Sequence, residues 1–310
     1  MPIPLIVDCD PGVDDAIALW LALASPDAFE LLGVTAVAGN VPLALTQANA
    51  RKICDLAGRT DMPVLAGCPR PLLRSPITAA DVHGSTGLDG YAFPEPTLPL
   101  APTHAVEWLI ATLLASESPV TIAALGPLTN VAVALTMAPQ IGERIERIVV
   151  MGGAEGAGNI TPAAEFNVYA DPHAAAIVMT AGLNLTLIPL DVTHTVMTTP
   201  DRLENIRAIA TPVAEAAASL LEHYGTFDRQ RYGTPGGFLH DPCTIAYLLA
   251  PELFRTAPAW IAVETAGELT TGKTVIDRYG VSDRTSNSIL VTEIDAGGFY
   301  ELLCERLRHL

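Results

Sequence analysis

The sequence predicts an α/β protein with an open, mostly parallel, doubly wound sheet and helices on both faces. It reads as a single domain over residues 1–310, with a small antiparallel addition near the C-terminus. Three observations predict this. Short apolar runs of strand length alternate with helical segments along most of the chain. Those runs are near-continuous, as in Val120 to Leu125, which suits strands covered on both faces. Glycine and proline number 24 and 25, a frequency that fits many strand–loop–helix junctions better than a helical bundle.

The elements follow in order. Ile3 to Val7 is a first strand that runs directly into Asp8-Cys-Asp-Pro-Gly, and helical character begins at Asp14. Leu31 to Ala38 is a second strand closed by Gly39-Asn40, and a helix covers Leu43 to Leu56. Val64 to Gly67 is a short third strand. Residues 68–102 carry many prolines and little periodicity, and are read as a long functional loop because no composition break marks a linker. Val106 to Ser116 reads as helix, Val120 to Leu125 as strand, and Gly126 to Asn130 as a turn and helix start. Ile145 to Met151 is a strand stopped by Gly152-Gly153, Asp171 to Ala181 a helix, and Leu185 to Leu190 a strand. Thr193 to about Glu222 is mainly helical, His223 to Leu239 is a polar, aromatic-bearing loop, and Trp260 to Thr292 is the antiparallel addition.

Composition narrows the function. Half the residues are apolar and 16% are charged, so a large core is expected and disorder is not. A net charge of -17 repels phosphate backbones and argues against nucleic acid as a partner, whereas an uncharged small molecule meets no such barrier. The five cysteines, Cys9, Cys54, Cys68, Cys243 and Cys304, form no CxxC pair, which argues against structural zinc and a disulfide framework and suits a reducing, cytoplasmic setting. The N-terminus lacks a basic n-region and no apolar run is long enough to span a bilayer, so neither a signal peptide nor a membrane partner is expected.

In doubly wound sheets ligands bind beyond the carboxyl ends of the strands. There the sequence sets Asp8, Asp10, Asp14 and Asp15 across one strand-to-helix turn. One or two aspartates at a helix start are ordinary caps or dipole partners. Four within eight residues repel each other unless a cation or protons intervene, and carboxylates without neighbouring His or Cys favour Ca²⁺ or Mg²⁺. The spacing is not that of an EF-hand, so further oxygens must come from elsewhere. Asp241, in His240-Asp-Pro, can supply one, with His240 beside it as a proton donor; Asp before Pro is equally a good helix cap. Asn159, Glu165 and Asn167 offer donors and acceptors suited to vicinal sugar hydroxyls, although turn chemistry explains asparagines as well.

Taken together these residues resemble the inosine–uridine-preferring nucleoside hydrolase family. The resemblance rests on Asp8-x-Asp-Pro-Gly-x-Asp-Asp15, Gly39-Asn40, Leu125-Gly-Pro-Leu-Thr-Asn130, Met151-Gly-Gly, Asn159 to Asn167 and His240-Asp-Pro in the family's order, and spans about residues 3 to 250. It implies a tightly bound Ca²⁺ held by Asp10, Asp15, Asp241 and the main-chain carbonyl of Leu125, with Asp10 also taking a proton from the metal-bound water. It implies ribose binding by Asp14, Asn40, Asn159, Glu165 and Asn167, with Met151 lining the sugar pocket and Asp8 in support. His240 matches the residue near the leaving base. His83, in Val82-His-Gly-Ser-Thr-Gly, resembles a histidine of the pyrimidine-preferring branch. The family further implies a homo-oligomer, tetramer or dimer.

The expected reaction is hydrolysis of the N-glycosidic bond of ribonucleosides to ribose and free base, pyrimidine-leaning or broad, through an oxocarbenium-like sugar. Tyr224, Phe227, Arg231 and Tyr232 can close over the base or be plain surface packing. Two rivals stand beside this. One is a Mg²⁺-dependent phosphohydrolase with Asp8 or Asp10 as nucleophile, weakened by the lack of basic residues in the acidic cluster. The other is a riboside sensor or carrier that binds without turnover.

Overall fold

The computed structural model describes residues 2–310. Among the described residues eleven strands form: β1 (Ile3–Cys9), β2 (Phe29–Ala36), β3 (Val64–Ala66), β4 (Val120–Ala124), β5 (Ile145–Met151), β6 (Leu185–Ile188), β7 (Met197–Thr198), β8 (Gly237–Phe238), β9 (Phe254–Val263), β10 (Thr274–Asp277) and β11 (Ser288–Ile294). Nine of them make one sheet in the order β10-β9-β11-β6-β5-β4-β1-β2-β3. From β3 through β6 to β11 every neighbour pair is parallel, and β9 is antiparallel to both β11 and β10.

The order reverses at the centre. From β1 the chain winds out to β2 and β3, then returns to lay β4 on the other side of β1. The loops after β1 and β4 therefore diverge and leave a crevice at their carboxyl ends. Asp10 and Leu125 begin those two loops, so the topology alone brings the acidic turn and the Leu125 carbonyl to one place.

Side chains alternate across the pleat and feed two cores. Leu5, Val7 and Cys9 of β1 join the larger one, and Ile6 joins the other. Likewise Ala123 of β4 faces the first core, while Val120, Ile122 and Ala124 face the second. The helix Val13–Leu23 is buried along its whole length. It packs against helices Leu43–Leu56, Pro212–Tyr232, Pro242–Leu249 and Ala296–Leu307. A helix so enclosed holds its N-terminus, with Asp14 and Asp15, as firmly as the sheet holds β1.

Most expected elements form within a residue or two, and Leu43–Leu56 and Ile145–Met151 form at the bounds expected. Three expectations need correction. His223 to Leu239 is not a loop throughout: residues to Tyr232 are the last turns of the helix Pro212–Tyr232, because Leu220, Leu221, Tyr224 and Asp228 bury one face at helical spacing. The C-terminal addition is not wholly antiparallel: β11 pairs in parallel with β6 and extends the main sheet. The strand expected at Leu185 to Leu190 ends at Ile188, since Pro189 lacks the amide a further pairing needs, and a short helix Leu190–Thr193 follows. A separate two-stranded ribbon joins β7 to β8. All five cysteines are free. Among the described residues no helix is long and apolar enough to cross a membrane.

Candidate active site

A cavity of about 240 Å³ opens at the switch point. Its floor carries Asp14, Asp241 and Leu125, and its sides Asn40, Met151, Asn159, Glu165 and Asn167. His83, Tyr224, Phe227, Arg231 and His240 line the rest. Asp10 and Asp15 lie buried behind the floor.

The aspartates are locked by backbone amides. Asp15 Oδ1 accepts from the amide of Asp10 at 3.1 Å, and its Oδ2 accepts from the Gly12 amide at 2.9 Å and from Asn40 Nδ2 at 3.2 Å. Asp10 Oδ2 accepts from the Asn40 amide at 2.7 Å. Glycine is required at Gly39 and Gly126 because a Cβ at either would run into the Asp10 carboxylate. Asp8 sits beneath, with Thr35 Oγ1 (2.5 Å) and Asn130 Nδ2 (2.8 Å) donating to its Oδ1.

Asp14, Asp15 and Asp241 converge, with one carboxylate oxygen from each inside a 4.8 Å span. Asp241 makes no cap bond to the helix it precedes, so the plain capping explanation for it fails. Asp10 Oδ1 and Asp14 Oδ1 are buried with no hydrogen-bond partner. Buried charges so arranged push every member's pKa upward. Burial and then the Asp15 charge raise Asp14 to about 8 and lift Asp10 well above the carboxylate range. Burial followed by Asp14, Asp15 and Asp10 does the same to Asp241. A converging set of three carboxylates, with orphaned oxygens on Asp14 and on Asp10 beside it, matches what a hard divalent cation requires; the His83 Nδ1 that lies 3.9 Å from Asp14 Oδ1 is already occupied by the Val13 amide. The Leu125 carbonyl faces the same floor and already accepts from Asn167 Nδ2 at 2.6 Å, which leaves its second lone pair free.

On the sides, Glu165 is raised to about 7 by burial although it accepts from the amides of Asn167 (2.8 Å), Gly153 (2.9 Å) and Val168 (3.1 Å). Asn159 Oδ1 accepts from the Phe166 amide at 2.9 Å, which fixes its side chain and frees its NH₂. The two histidines are held uncharged. Burial takes His83 down to about 3 and His240 well below its ordinary value. The Val13 amide donates to His83 Nδ1 at 3.1 Å, so the neutral ring carries its proton on Nε2. His240 Nδ1 pairs with Thr193 Oγ1 at 2.7 Å.

A family model described as inosine-uridine preferring nucleoside hydrolase matches residues 5–301. The chain belongs to that family. It is therefore a nucleoside hydrolase, an enzyme, and the resemblance drawn from its motifs holds. It is 48% identical over 308 residues to a protein of Enterobacter sp. (strain 638) named pyrimidine-specific ribonucleoside hydrolase RihA, covering 99% of this chain and 98% of that one. An Escherichia coli O81 (strain ED1a) protein of the same name is 46% identical over 309 residues, with 99% of each covered. Among solved structures, a plant nucleoside hydrolase superposes with a TM-score of 0.92 at 32% identity, with 99% of each chain covered. A purine-preferring ribonucleoside hydrolase from Gardnerella vaginalis gives 0.91 at 30% identity, with 98% of each covered.

This nucleoside hydrolase pocket also contains residues that the motifs did not disclose. His194 stacks on Phe238 at 4.5 Å and lies 5.6 Å from the His240 ring. Asp228 is buried in the wall, accepts from the Phe238 amide at 2.7 Å and is raised to about 6 by burial. Reading 223–232 as helix would have exposed Asp228, because it follows Tyr224 by four residues on the same face. His194 had no comparable signal, since its place depends on the β7–β8 ribbon.

Proposed function

We propose that this chain hydrolyses the N-glycosidic bond of ribonucleosides, with pyrimidines preferred, and that it does so with Ca²⁺. The observation that carries the reading is a pair of orphaned carboxylate oxygens, one on Asp14 in the lining of a cavity walled by Asn and Glu and one on Asp10 buried behind it. Asp10, Asp15, Asp241 and the Leu125 carbonyl would hold the cation, with the Asp14 carboxylate, which converges with Asp15 and Asp241, facing it. When bound, it supplies Lewis-acid polarisation of a water and oxygen coordination for ribose hydroxyls.

Asp10 is suited to accept a proton, since Asn40 fixes its Oδ2 while Oδ1 has no partner. The attacking water's oxygen bonds to C1′, its proton passes to Asp10 Oδ1, and the C1′–N bond breaks with its electron pair leaving on the base nitrogen; the base departs as an anion and takes its proton from solvent. Asp14, Asn40, Asn159, Glu165 and Asn167 grip the ribose and hold it near the flattened geometry of the oxocarbenium-like state. The Nε2–H of neutral His83 is a hydrogen-bond donor for the departing base, and His240 shares that end of the cavity. Tyr224, Phe227 and Arg231 close over the base.

The pyrimidine preference is supported by the names of relatives 46–48% identical over almost the whole chain. Steady-state kinetics on uridine, cytidine, inosine and adenosine, with and without EDTA, test both parts. Ribose release should be fastest from the pyrimidines, stop on chelation and return with Ca²⁺. Preference for inosine would remove the pyrimidine reading, and release of phosphate from a nucleotide without ribose release would favour the phosphohydrolase.

A further inference from the structure

Beyond β5 the chain leaves the sheet at Gly153 and turns through 154–156 before reaching Asn159. That turn belongs to no strand or helix, yet every backbone polar group in it is bonded to a side chain from elsewhere. Lys273 Nζ donates to the carbonyls of Ala154 (3.0 Å), Glu155 (2.8 Å) and Gly156 (2.7 Å). An ammonium has three protons, and here all are spent on three consecutive carbonyls. Asp191 accepts from the opposite side, Oδ2 from the Glu155 amide at 2.7 Å and Oδ1 from the Gly156 amide at 2.9 Å. Thr274 Oγ1 completes the set, accepting from the Ala154 amide at 2.8 Å and donating to its carbonyl at 2.7 Å.

The grip is transmitted to the cavity. Gly153 sits at φ +72, and its amide donates to Glu165 Oε2 at 2.9 Å. A Cβ at Gly153 would meet Thr274 Cγ2 at 2.6 Å, so the turn is also in close contact with β10. Asn159 in turn holds the Phe166 amide. Clamp, Gly153, Glu165 and Asn159 thus form one bonded chain. Bonds within 159–168 hold Asn159 and Glu165 relative to each other, but a surface turn fixed only by its own backbone would let that segment shift as a unit. Charge-assisted bonds from both sides remove that freedom.

We propose that Lys273, acting with Asp191 and Thr274, is a positioning residue for ribose. It sets the 159–167 segment from outside, so the edge of the sheet at β10 contributes to sugar affinity without touching substrate. This rests on the reading of the cavity as a riboside site.

The test compares K273M, K273R and D191N with the wild-type enzyme on uridine, with product inhibition by ribose and by uracil measured separately. Loss of a charge-assisted contact should raise KM about tenfold in K273M, with kcat within about threefold of wild type. Ribose inhibition should weaken in the same proportion and uracil inhibition stay unchanged. K273R, which keeps the charge and several donors, should recover most of the loss. D191N acts on the other side of the turn and should raise KM in the same sense, so it carries the test should K273M fail to fold. Wild-type KM in both K273M and D191N would overturn the proposal, as would equal weakening of ribose and uracil inhibition. Wild-type turnover of uridine tests the riboside reading by itself, whereas the clamp is judged on the ratio of variant to wild type.

Discussion

At the scale of single residues, the proposed chemistry turns on which groups hold a proton. Asp10 has one oxygen tied to the Asn40 amide and one with no partner. Asp10→Asn keeps the shape and the tied oxygen but removes the base. At saturating Ca²⁺ it should lower kcat on uridine about 10²–10⁴-fold while KM moves little. Near wild-type kcat would remove Asp10 from the proposed role. The histidines make a different prediction. His83 cannot take a second proton without turning an N–H against the Val13 amide, and burial holds its pKa near 3, so rising pH through 6.5 removes no charge from it. No limb of the kcat/KM profile near 6.5 should therefore depend on either ring, and a limb there that survives removal of the rings belongs to a carboxylate such as Glu165, raised to about 7. A descending limb there, abolished in His83→Gln or His240→Gln, would show that one of the rings acts as an imidazolium.

At the scale of elements, the helix Pro212–Tyr232 contributes a wall of the cavity, and Asp228 ties it to β8 through the Phe238 amide. Asp228→Ala leaves that amide without a partner in a buried joint and should cost roughly 1.5–3 kcal/mol of stability in urea unfolding. A change within about 0.5 kcal/mol would mean the joint is held by packing alone. The same helix shows where the sequence stopped being legible. Asp8, Asp10, Asp14 and Asp15 lie on one strand-to-helix turn, so their proximity is local and can be read directly. Asn40 and Leu125 follow strands that flank β1, and a doubly wound reading already brings their ends together. Whether 223–232 is helix or loop depends on burial of Leu220, Leu221 and Tyr224 against the helix Val13–Leu23, a tertiary fact that polar composition hides. His194 and the Lys273 clamp are further out of reach. Each joins segments whose contact exists only after β7 meets β8 or β10 pairs with β9.

At the scale of the whole molecule, the buried acids oppose the fold unless a cation balances them. Burial lifts Asp8 to about 7, Asp14 to about 8 and Glu165 to about 7, against 3.8 for an ordinary Asp and 4.5 for an ordinary Glu. Across that interval the folded, cation-free protein holds protons that the unfolded chain has released. Stability therefore falls as pH rises through the folded values. The depressed histidines act in the opposite sense, and their effect fades as pH rises past 6.5, where the unfolded rings lose their protons. From pH 6.5 to pH 8 the more numerous raised carboxylates outweigh them, so the thermal midpoint in EDTA should decline over that window. The proposed Ca²⁺ would take up the ionised carboxylates and bind only the folded state. At a thousandfold excess over Kd it would add about 4 kcal/mol. The gain should widen with pH, because at lower pH the ion must first displace protons. Thermal unfolding in EDTA and in Ca²⁺ at the two ends of the window checks this. A midpoint that neither falls with pH in EDTA nor responds to Ca²⁺ would mean that the buried aspartates are neutralised by something other than a cation.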